Sequence, residues 1–345
     1  MLDDLKYIHK TDAVDTLGIA ERQAKQLLDE FTFAAEPKFG HVYNVVFAGM
    51  GGSALAAEIA RVWPGIGEPF EIVRGYDIPK YVDGDTLFIA SSYSGNTEET
   101  LSALEQAEAA KAQIVVIAAG GKLQEIARAK GYPFMLLPRA EQPRYAVLDS
   151  LKATLTIFAK AGLIKAEEVL PQLAEASAFL QTHIANWRAD VPTASNPAKQ
   201  LAHELMGKSV VVYAGPKLWP AAYKWKISCN ENAKQIAWTD QLPEFNHNEF
   251  IGWSKQPVQK PYAVVDLRSN LEHPRVQKRF EVTARLLSGM RPEPHVVQAE
   301  GETLVEQLLW TIAFGDFVTL YLALLNGLNP APVDLVEAFK KALDD

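Results

Sequence analysis

The chain has 345 residues, of which 48% are hydrophobic and 22% charged, and this composition excludes a disordered protein and predicts about two folded domains. Its 34 basic and 42 acidic side chains give a net charge of −8, so its surface does not attract nucleic acid or anionic membranes in bulk. The single cysteine, Cys229, excludes an internal disulfide and a zinc site of the CxxC type.

The first third of the chain alternates apolar runs with helix-forming stretches. Residues 1–40 are predicted as an N-terminal helical extension, and because they show no secretory signal we expect a cytoplasmic protein. Strands are then predicted at Asn44–Ala48, Glu71–Val73, Thr86–Ala90, Gln113–Ala118 and Pro133–Leu137, and helices at Ala54–Arg61, Thr97–Ala110 and Leu123–Ala129. Continuous apolar strands separated by helices indicate a parallel sheet covered on both faces, which we place in a first domain of residues 41–146.

The second half repeats this alternation after a purely helical stretch. Residues 147–195 are predicted as connecting helices, and residues 196–345 as a second domain with C-terminal helices. Its strands are predicted at Ser209–Ala214, Tyr262–Leu267 and His295–Gln298, and its helices at Ala221–Gln235, Val276–Leu287 and from Glu302 onward. The predicted fold class is therefore α/β, with two doubly wound parallel-sheet domains, each of three α/β/α layers, joined by helices.

Residues 308–325 form a run that is almost wholly apolar and long enough to be a marginal membrane-spanning candidate. Asp316 lies near its middle, and no basic cluster flanks it. A charge at the bilayer centre is costly, whereas a buried protein helix tolerates one paired acid. We therefore predict a helix buried between domains or subunits, and no membrane contact.

A glycine-rich turn follows the first predicted strand. Residues 49–54 read GMGGSA and match the GxGxxA dinucleotide fingerprint. A nicotinamide enzyme would place an acid at the end of the next strand, where this chain has Arg74. Because an arginine suits a 2′-phosphate, a dehydrogenase stays open as a weaker alternative, beside a turn that only allows tight strand–helix packing.

A serine-rich turn, SSYSGNT, follows the third predicted strand and leads into a helix. The hydroxyls of Ser92, Ser94 and Thr97, together with the free N–H groups of a helix start, suit a phosphate monoester. The alternative is an ordinary polar turn in which Thr97 caps the helix. The comparable stretch of the second half, residues 266–270, reads DLRSN, so we expect only the first domain to bind an anion.

The two turns together resemble the SIS (sugar isomerase) domain. Three further stretches and the C-terminal segment extend the resemblance, namely PRYAVLDSL (143–151), KWKISCNENAK (224–234), PEFNHNEFIGW (243–253) and residues 315–343. From about residue 45 to the end, the chain resembles the bifunctional phosphoglucose/phosphomannose isomerase family. This resemblance implies interconversion of glucose 6-phosphate or mannose 6-phosphate with fructose 6-phosphate through an enediolate, without metal or cofactor. It also implies a homodimer in which His247 serves the partner's pocket.

The resemblance also implies roles for individual residues. The substrate-binding positions are Gly51, Gly52, Ser53, Ser92, Ser94, Thr97 and Arg144. The catalytic positions are Glu231 as the base, His247 as the ring-opening histidine, Arg144 as the cation beside the enediolate, and Lys340, or else Lys341, as the C-terminal lysine. From the residues alone, Glu231 reads as an ordinary helix glutamate and Lys340 as an exposed lysine of an amphipathic helix. A sugar-phosphate-binding regulator without turnover is the alternative function.

Two stretches depart from the family pattern. Residues 55–57 read Leu-Ala-Ala where the family often has a glycine, and residues 329–332 read Asn-Pro-Ala-Pro where many members have Asp-Pro-Thr-Pro. Because the second stretch approaches the active site in the family, the preference for glucose or mannose stays open.

Overall fold

The computed structural model describes residues 1–140, 142–255 and 261–344. These residues form two compact units, which we call the N-terminal unit (Arg22–Phe179) and the C-terminal unit (Met1–Glu21 with Leu180–Asp345). Much of the stretch predicted as connecting helices, residues 147–195, thus belongs to the N-terminal unit. The domain limits at 41–146 and 196–345 remain predictions.

The elements of both units alternate along the chain. The helices are α1 (Leu5–Thr11), α2 (Thr16–Arg22), α3 (Gly52–Val62), α4 (Glu98–Ala109), α5 (Gly121–Lys130), α6 (Val147–Lys160), α7 (Ala166–Ile184), α8 (Pro197–Leu205), α9 (Trp219–Glu231), α10 (Glu249–Trp253), α11 (Pro274–Leu286), α12 (Leu304–Leu325) and α13 (Asp334–Asp344). The strands are β1 (Asn44–Ala48), β2 (Phe70–Val73), β3 (Thr86–Ser91), β4 (Gln113–Ala118), β5 (Phe134–Leu136), β6 (Ser209–Ala214), β7 (Ala237–Gln241), β8 (Tyr262–Arg268) and β9 (His295–Gln298). Short 3₁₀ helices lie at Gln23–Leu28, Pro143–Tyr145, Thr193–Ser195 and Glu244–His247.

The N-terminal unit contains a five-stranded parallel sheet in the order β2-β1-β3-β4-β5. Alternate residues of a strand face opposite sides of the sheet. On one side, Val46 and Phe88 pack with Leu104 of α4 and Leu123 of α5. The other side is reached by α3 and α6, which pack on each other, and Phe158 of α6 meets Phe70 of β2 edge-on. The predicted doubly wound fold is therefore confirmed here.

The C-terminal unit contains a four-stranded parallel sheet in the order β7-β6-β8-β9. Counted within its own unit, this order is 2-1-3-4, as in the first four strands of the N-terminal sheet. Strand β7 was not predicted from the sequence, and the preceding helix, predicted to end at Gln235, ends at Glu231. The reason is that β7 is an edge strand of sequence AWTDQ, mostly half-buried, and Trp238 within it is 48% exposed. Such a strand lacks the continuous apolar run that identified the central strands.

The N-terminal extension is helical only in part. Helices α1 and α2 and the 3₁₀ helix at Gln23–Leu28 occupy its first two thirds. The chain then turns to extended backbone at Asp29, with φ −63° and ψ 138°, and the segment from there to β1 contains no helix among its described residues. Helix formation therefore stops about twelve residues before the predicted limit at residue 40.

Helix α12 is the one helix in the described part of the chain that is long and apolar enough to cross a membrane. Within its most apolar window, 94% is buried inside the protein. It packs on α8 and α9 of the same unit, and Asp316 pairs with Lys224 of α9. The prediction of a buried helix with a paired acid is confirmed, and the two helices on which it packs belong to its own unit.

Candidate functional site

Two polar turns lie side by side in the N-terminal unit. In the sheet order β2-β1-β3-β4-β5, the chain adds β2 on one side of β1 and the later strands on the other side, so the topological switch point lies between β1 and β3. Ligands of open α/β sheets bind at such a point, beyond the carboxyl ends of the strands. The turns that follow these two strands are Gly49–Ser53 and Ser92–Thr97, and together we call them the cradle. The motifs singled out in the sequence are therefore brought to one edge of one sheet.

The first turn of the cradle depends on glycines and on a serine. Gly51 has φ +49°, a conformation that favours glycine, and it precedes the first residue of α3. A Cβ on Gly49 would lie 2.9 Å from the carbonyl oxygen of Ser91, so β1 and β3 approach too closely for a larger residue. Ser53 Oγ accepts a hydrogen bond from the backbone N–H of Tyr93 at 3.0 Å, which ties the first turn to the second.

The second turn holds its hydroxyls in a shared network. Ser92 Oγ lies 2.7 Å from Thr97 Oγ1 and 3.5 Å from Ser94 Oγ, and it accepts from the N–H of Gly95 at 3.1 Å. Thr97 is the N-cap residue of α4, but among the described residues its side chain makes this contact and no capping hydrogen bond. The three hydroxyls therefore lie together directly before the first turn of α4, an arrangement suited to an anion.

Arg144 packs directly against the cradle. It belongs to the 3₁₀ helix Pro143–Tyr145, and a Cβ on Gly52 would lie 3.1 Å from its backbone nitrogen. The residue is 1% exposed, and its guanidinium carbon lies 4.7 Å above the centre of the Tyr145 ring. The structure therefore places a buried guanidinium group next to the first turn of the cradle.

At the corresponding switch point of the C-terminal sheet, between β6 and β8, the side chain of Glu272 lies against the turn that follows β6. The Glu272 carboxylate accepts from the backbone N–H of Lys217 at 2.7 Å, and a Cβ on Gly215 would lie 2.4 Å from Glu272 Oε1. Burial raises the pKa of Glu272, and backbone N–H groups of this turn oppose the rise. An internal carboxylate thus takes the position where the N-terminal unit offers donors, as expected for a half that does not bind an anion.

Glu231 is the last residue of α9, and the helix around it is fixed by polar contacts with α12. Lys224 and Asp316 form a buried ion pair. The next residue after Glu231, Asn232, is fully buried and donates from Nδ2 to Thr319 Oγ1 at 3.0 Å. The main chain at Glu231 is therefore anchored both before it, through Lys224, and directly after it.

His247, Lys340 and Lys341 lie on exposed parts of the C-terminal unit. His247 ends the 3₁₀ helix Glu244–His247 and is exposed. Lys340, on α13, is 60% exposed and donates to Glu337 at 2.7 Å. The structure thus brings together the cradle residues and Arg144 in one unit, and it places Glu231, His247 and the two lysines on three separate elements of the other. The site assignments stay predictions.

The chain was compared with known protein families and curated proteins. Residues 41–161 match the SIS domain, and residues 194–343 match the bacterial phospho-glucose isomerase C-terminal SIS domain. A bifunctional phosphoglucose/phosphomannose isomerase of Caldicellulosiruptor bescii is 36% identical over 304 residues, which are 87% of this chain and 89% of that protein. One of the same name from Aquifex aeolicus is 32% identical, over 87% and 90% of the two chains.

The chain belongs to the bifunctional phosphoglucose/phosphomannose isomerase family. The resemblance found in the sequence is confirmed, and the protein is an isomerase. Among solved structures, a glucose-6-phosphate isomerase like protein from Thermus thermophilus superimposes with a TM-score of 0.65 over 99% of this chain and 98% of that one. At 17% identity this likeness shows a shared fold.

Two tyrosines to which no role was assigned from the sequence make contacts close to Arg144 or to the segment before it. The Tyr93 hydroxyl donates to the carbonyl oxygen of Pro138 at 2.9 Å and bonds the backbone N–H of Ala140, so it holds the segment that leads toward Arg144. The second, Tyr145, lies under the Arg144 guanidinium. Tyr93 lies inside the SSYSGNT motif and Tyr145 next to Arg144, but the sequence gives no sign of where their side chains reach.

The contacts of Arg74 bear on the alternative of a nicotinamide dehydrogenase. Arg74, the residue that kept a dehydrogenase open, lies 2.5 Å from Glu58, and that buried carboxylate also binds Arg61 at 2.6 Å. Arg74 is therefore held by a carboxylate of the protein itself, which disfavours a role in holding a 2′-phosphate. In the described residues, no group of three His, Cys, Asp or Glu side chains is placed to hold a metal ion.

Asp149, on α6 of this isomerase, gives a prediction about pH. It is 4% exposed, and burial raises its pKa to about 8, with a hydrogen bond and the charge of Asp29 adding to the rise. The folded protein thus holds a proton that the unfolded chain releases near pH 4, so this group makes stability fall as the pH rises from about 4 to 8. We expect Asp149→Asn to remove this pH dependence. The change that the substitution makes in the free energy of unfolding should be more favourable at pH 8 than at pH 5 by at least about 2 kcal/mol.

Unfolding midpoints measured between pH 5 and 8.5 test this prediction. The exposed Asp85→Asn serves as the matched control and should leave the pH dependence unchanged. If wild type and Asp149→Asn lose stability in parallel over this range, Asp149 is already ionised in the folded protein and the prediction is wrong.

Proposed function

We propose that the chain interconverts glucose 6-phosphate, mannose 6-phosphate or both with fructose 6-phosphate. The observation that supports this most strongly is the cradle, in which three hydroxyls and the starts of α3 and α4 lie beside the buried Arg144. Its family carries this activity in its name. Because the chain has a net charge of −8, a phosphorylated sugar has to be attracted locally, and the cradle provides that attraction.

The cradle would bind the phosphate group. Gly51, Gly52 and Ser53 contribute the start of α3, whereas Ser92, Ser94 and Thr97 contribute hydroxyls at the start of α4. These donors are neutral, so they position a dianion without holding it as tightly as a cluster of lysines and arginines would. Such a site releases its product after turnover, as an enzyme requires.

The chemical step would move one proton between two neighbouring carbons. In our proposal the Glu231 carboxylate takes the proton from C2 of the open-chain aldose and returns it to C1, while the hydroxyl proton on O2 passes to O1. Arg144, which stays charged at every working pH, stabilises the enediolate between these steps. Since the arginine supplies the positive charge, we propose that the reaction needs no metal ion and no cofactor.

His247 and Lys340 would act before this step, on the closed sugar ring. An imidazole can both donate and accept a proton, so His247 is suited to moving the ring-oxygen and hydroxyl protons, with Lys340, or else Lys341, assisting. We propose a cytoplasmic homodimer in which His247 serves the partner's pocket. Its exposed position at the end of a 3₁₀ helix is compatible with this role. A fully active monomer would contradict it.

The stretch at 329–332 would influence the choice between glucose and mannose. Lys234, three residues after Glu231, donates from Nζ to the carbonyl oxygens of Asn329 at 3.0 Å and Pro330 at 3.1 Å. The segment that departs from the family pattern is therefore tied to the chain just beyond the proposed base. We propose that Ala331, which is buried in this stretch, contributes to sugar preference.

Coupled assays of purified protein with each aldose 6-phosphate, in the presence of EDTA, test the proposal. Turnover of both sugars is the expected result, and turnover of one sugar alone keeps the mechanism but restricts the specificity. Tight binding of fructose 6-phosphate without turnover would instead favour the sugar-phosphate-binding regulator. A thermal shift with NADPH but not with sugar phosphates would favour the dehydrogenase.

A further inference from the structure

Gln26, in the N-terminal extension, forms hydrogen bonds with the backbone on the C-terminal side of Arg144. Its Nε2 donates to the carbonyl oxygen of Tyr145 at 2.6 Å. Its Oε1 accepts from the backbone N–H of Asp149 at 3.3 Å, in the first turn of α6. One side-chain amide therefore spans the turn between the 3₁₀ helix that carries Arg144 and the helix that follows it.

The side chain of Tyr145, whose backbone Gln26 binds, contacts the Arg144 guanidinium. Arg144 stacks on the Tyr145 ring at 4.7 Å, and it donates from Nη2 to the Tyr145 hydroxyl at 3.3 Å. Both residues are buried, with Arg144 1% and Tyr145 6% exposed. A cation held over an aromatic face gains attraction that depends on its position, so displacing the ring displaces the cation.

The 3₁₀ helix that carries Gln26 is itself fixed. Ala24 and Leu27 are fully buried, and the Ser177 hydroxyl of α7 donates to the carbonyl oxygen of Ala24 at 2.7 Å. Gln26 thus reaches Tyr145 from a rigid base, and not from a loose N-terminal segment. Side chains held by packed neighbours in this way position functional groups accurately.

We infer that Gln26 and Tyr145 are positioning residues that hold the Arg144 guanidinium in its productive place. This makes the 3₁₀ helix of the N-terminal extension part of the support of the active site. The inference rests on the catalytic role proposed above for Arg144. Displacement of a catalytic group by about 1 Å costs up to about a hundredfold in rate, so loss of this support is expected to affect turnover more than substrate binding.

The test compares Gln26→Met, which removes both hydrogen bonds at similar side-chain volume, with wild type. We expect kcat to fall about tenfold and KM to change less than twofold, because the phosphate cradle is untouched. The matched control is Gln172→Met, since Gln172 also donates its amide to a backbone carbonyl, that of Glu168 at 2.8 Å. Tyr145→Phe is a second variant, which keeps the stacked ring, and its expected loss of kcat is about two- to fivefold.

The decisive comparison repeats Gln26→Met in an Arg144→Ala background. If Gln26 acts through Arg144, its substitution lowers the residual kcat less than about twofold there, because the group it positions is gone. An equal tenfold loss in both backgrounds, or no loss in wild type from either Gln26→Met or Tyr145→Phe, would overturn the inference. Absence of turnover in wild type would contradict the proposed function itself, and the positioning role with it.

Discussion

Glu231→Gln is expected to lower kcat by about a thousandfold or more and to change KM only a few-fold. The substitution keeps the size and shape of the side chain but removes the carboxylate that, in our proposal, carries the proton between C2 and C1. General acid–base groups contribute about 10² to 10⁴ in rate, and here one residue would serve both halves of the transfer. Steady-state kinetics in both reaction directions measure the effect.

Two controls separate this role from a general effect on the helix. Glu281→Gln, on α11 of the same unit, removes an exposed carboxylate paired with Lys278 at 2.7 Å and should leave kcat unchanged. Glu231→Asp, which retracts the carboxylate by one methylene, should keep a measurable fraction of activity. If Glu231→Gln retained more than a tenth of wild-type kcat, another residue would be the base.

Asp316→Ala is expected to destabilise the C-terminal unit by about 3–5 kcal/mol, because it leaves a buried ammonium without its counterion. Lys224 is 1% exposed and lies against the Asp316 carboxylate, with Ser228 Oγ at 2.9 Å as its neutral neighbour. The cost of burying an unpaired charge far exceeds that of losing a surface ion pair. The midpoint of urea unfolding measures the change.

A double replacement makes the origin of this effect testable. Lys224→Met with Asp316→Leu removes both charges and fills the space with apolar groups, so it should recover most of the lost stability. Glu281→Ala, which breaks the exposed pair with Lys278, should cost far less stability than Asp316→Ala. A double variant as unstable as Asp316→Ala alone would mean that packing at α9 and α12, and not the charge, causes the loss.

The strands that the sequence predicted most clearly are those buried on both faces. β1, β3, β4, β6 and β8 are continuous apolar runs, and this pattern arises when helices cover both sides of a parallel sheet. The edge strand β7 is mostly half-buried and carries polar residues, so it lacks such an apolar run and was not predicted as a strand. The pattern of apolar residues along the sequence thus predicts the central strands of a sheet better than its edge strands.

The cradle was predictable because its residues lie close together in the chain, directly after strand ends. The support of Arg144 was not, since Gln26 and Tyr145 are 119 positions apart and meet only in the folded unit. The DLRSN stretch predicts that the C-terminal unit does not bind an anion. The Glu272 carboxylate that accepts from Lys217 at this point of the sheet could not be predicted, because the two residues are 55 positions apart.

The most direct test of the proposed mechanism is an NMR experiment in which EDTA-treated enzyme converts fructose 6-phosphate in D₂O. We expect glucose 6-phosphate, mannose 6-phosphate or both to appear, with deuterium at C2 in part of the product. Glu231→Gln should form neither of these aldose phosphates. Solvent deuterium enters because the proton held by the carboxylate exchanges with water during the enediolate step. Fructose 6-phosphate that stays unchanged, or a Glu231→Gln variant that forms the aldose phosphates as fast as wild type, would contradict the proposed mechanism.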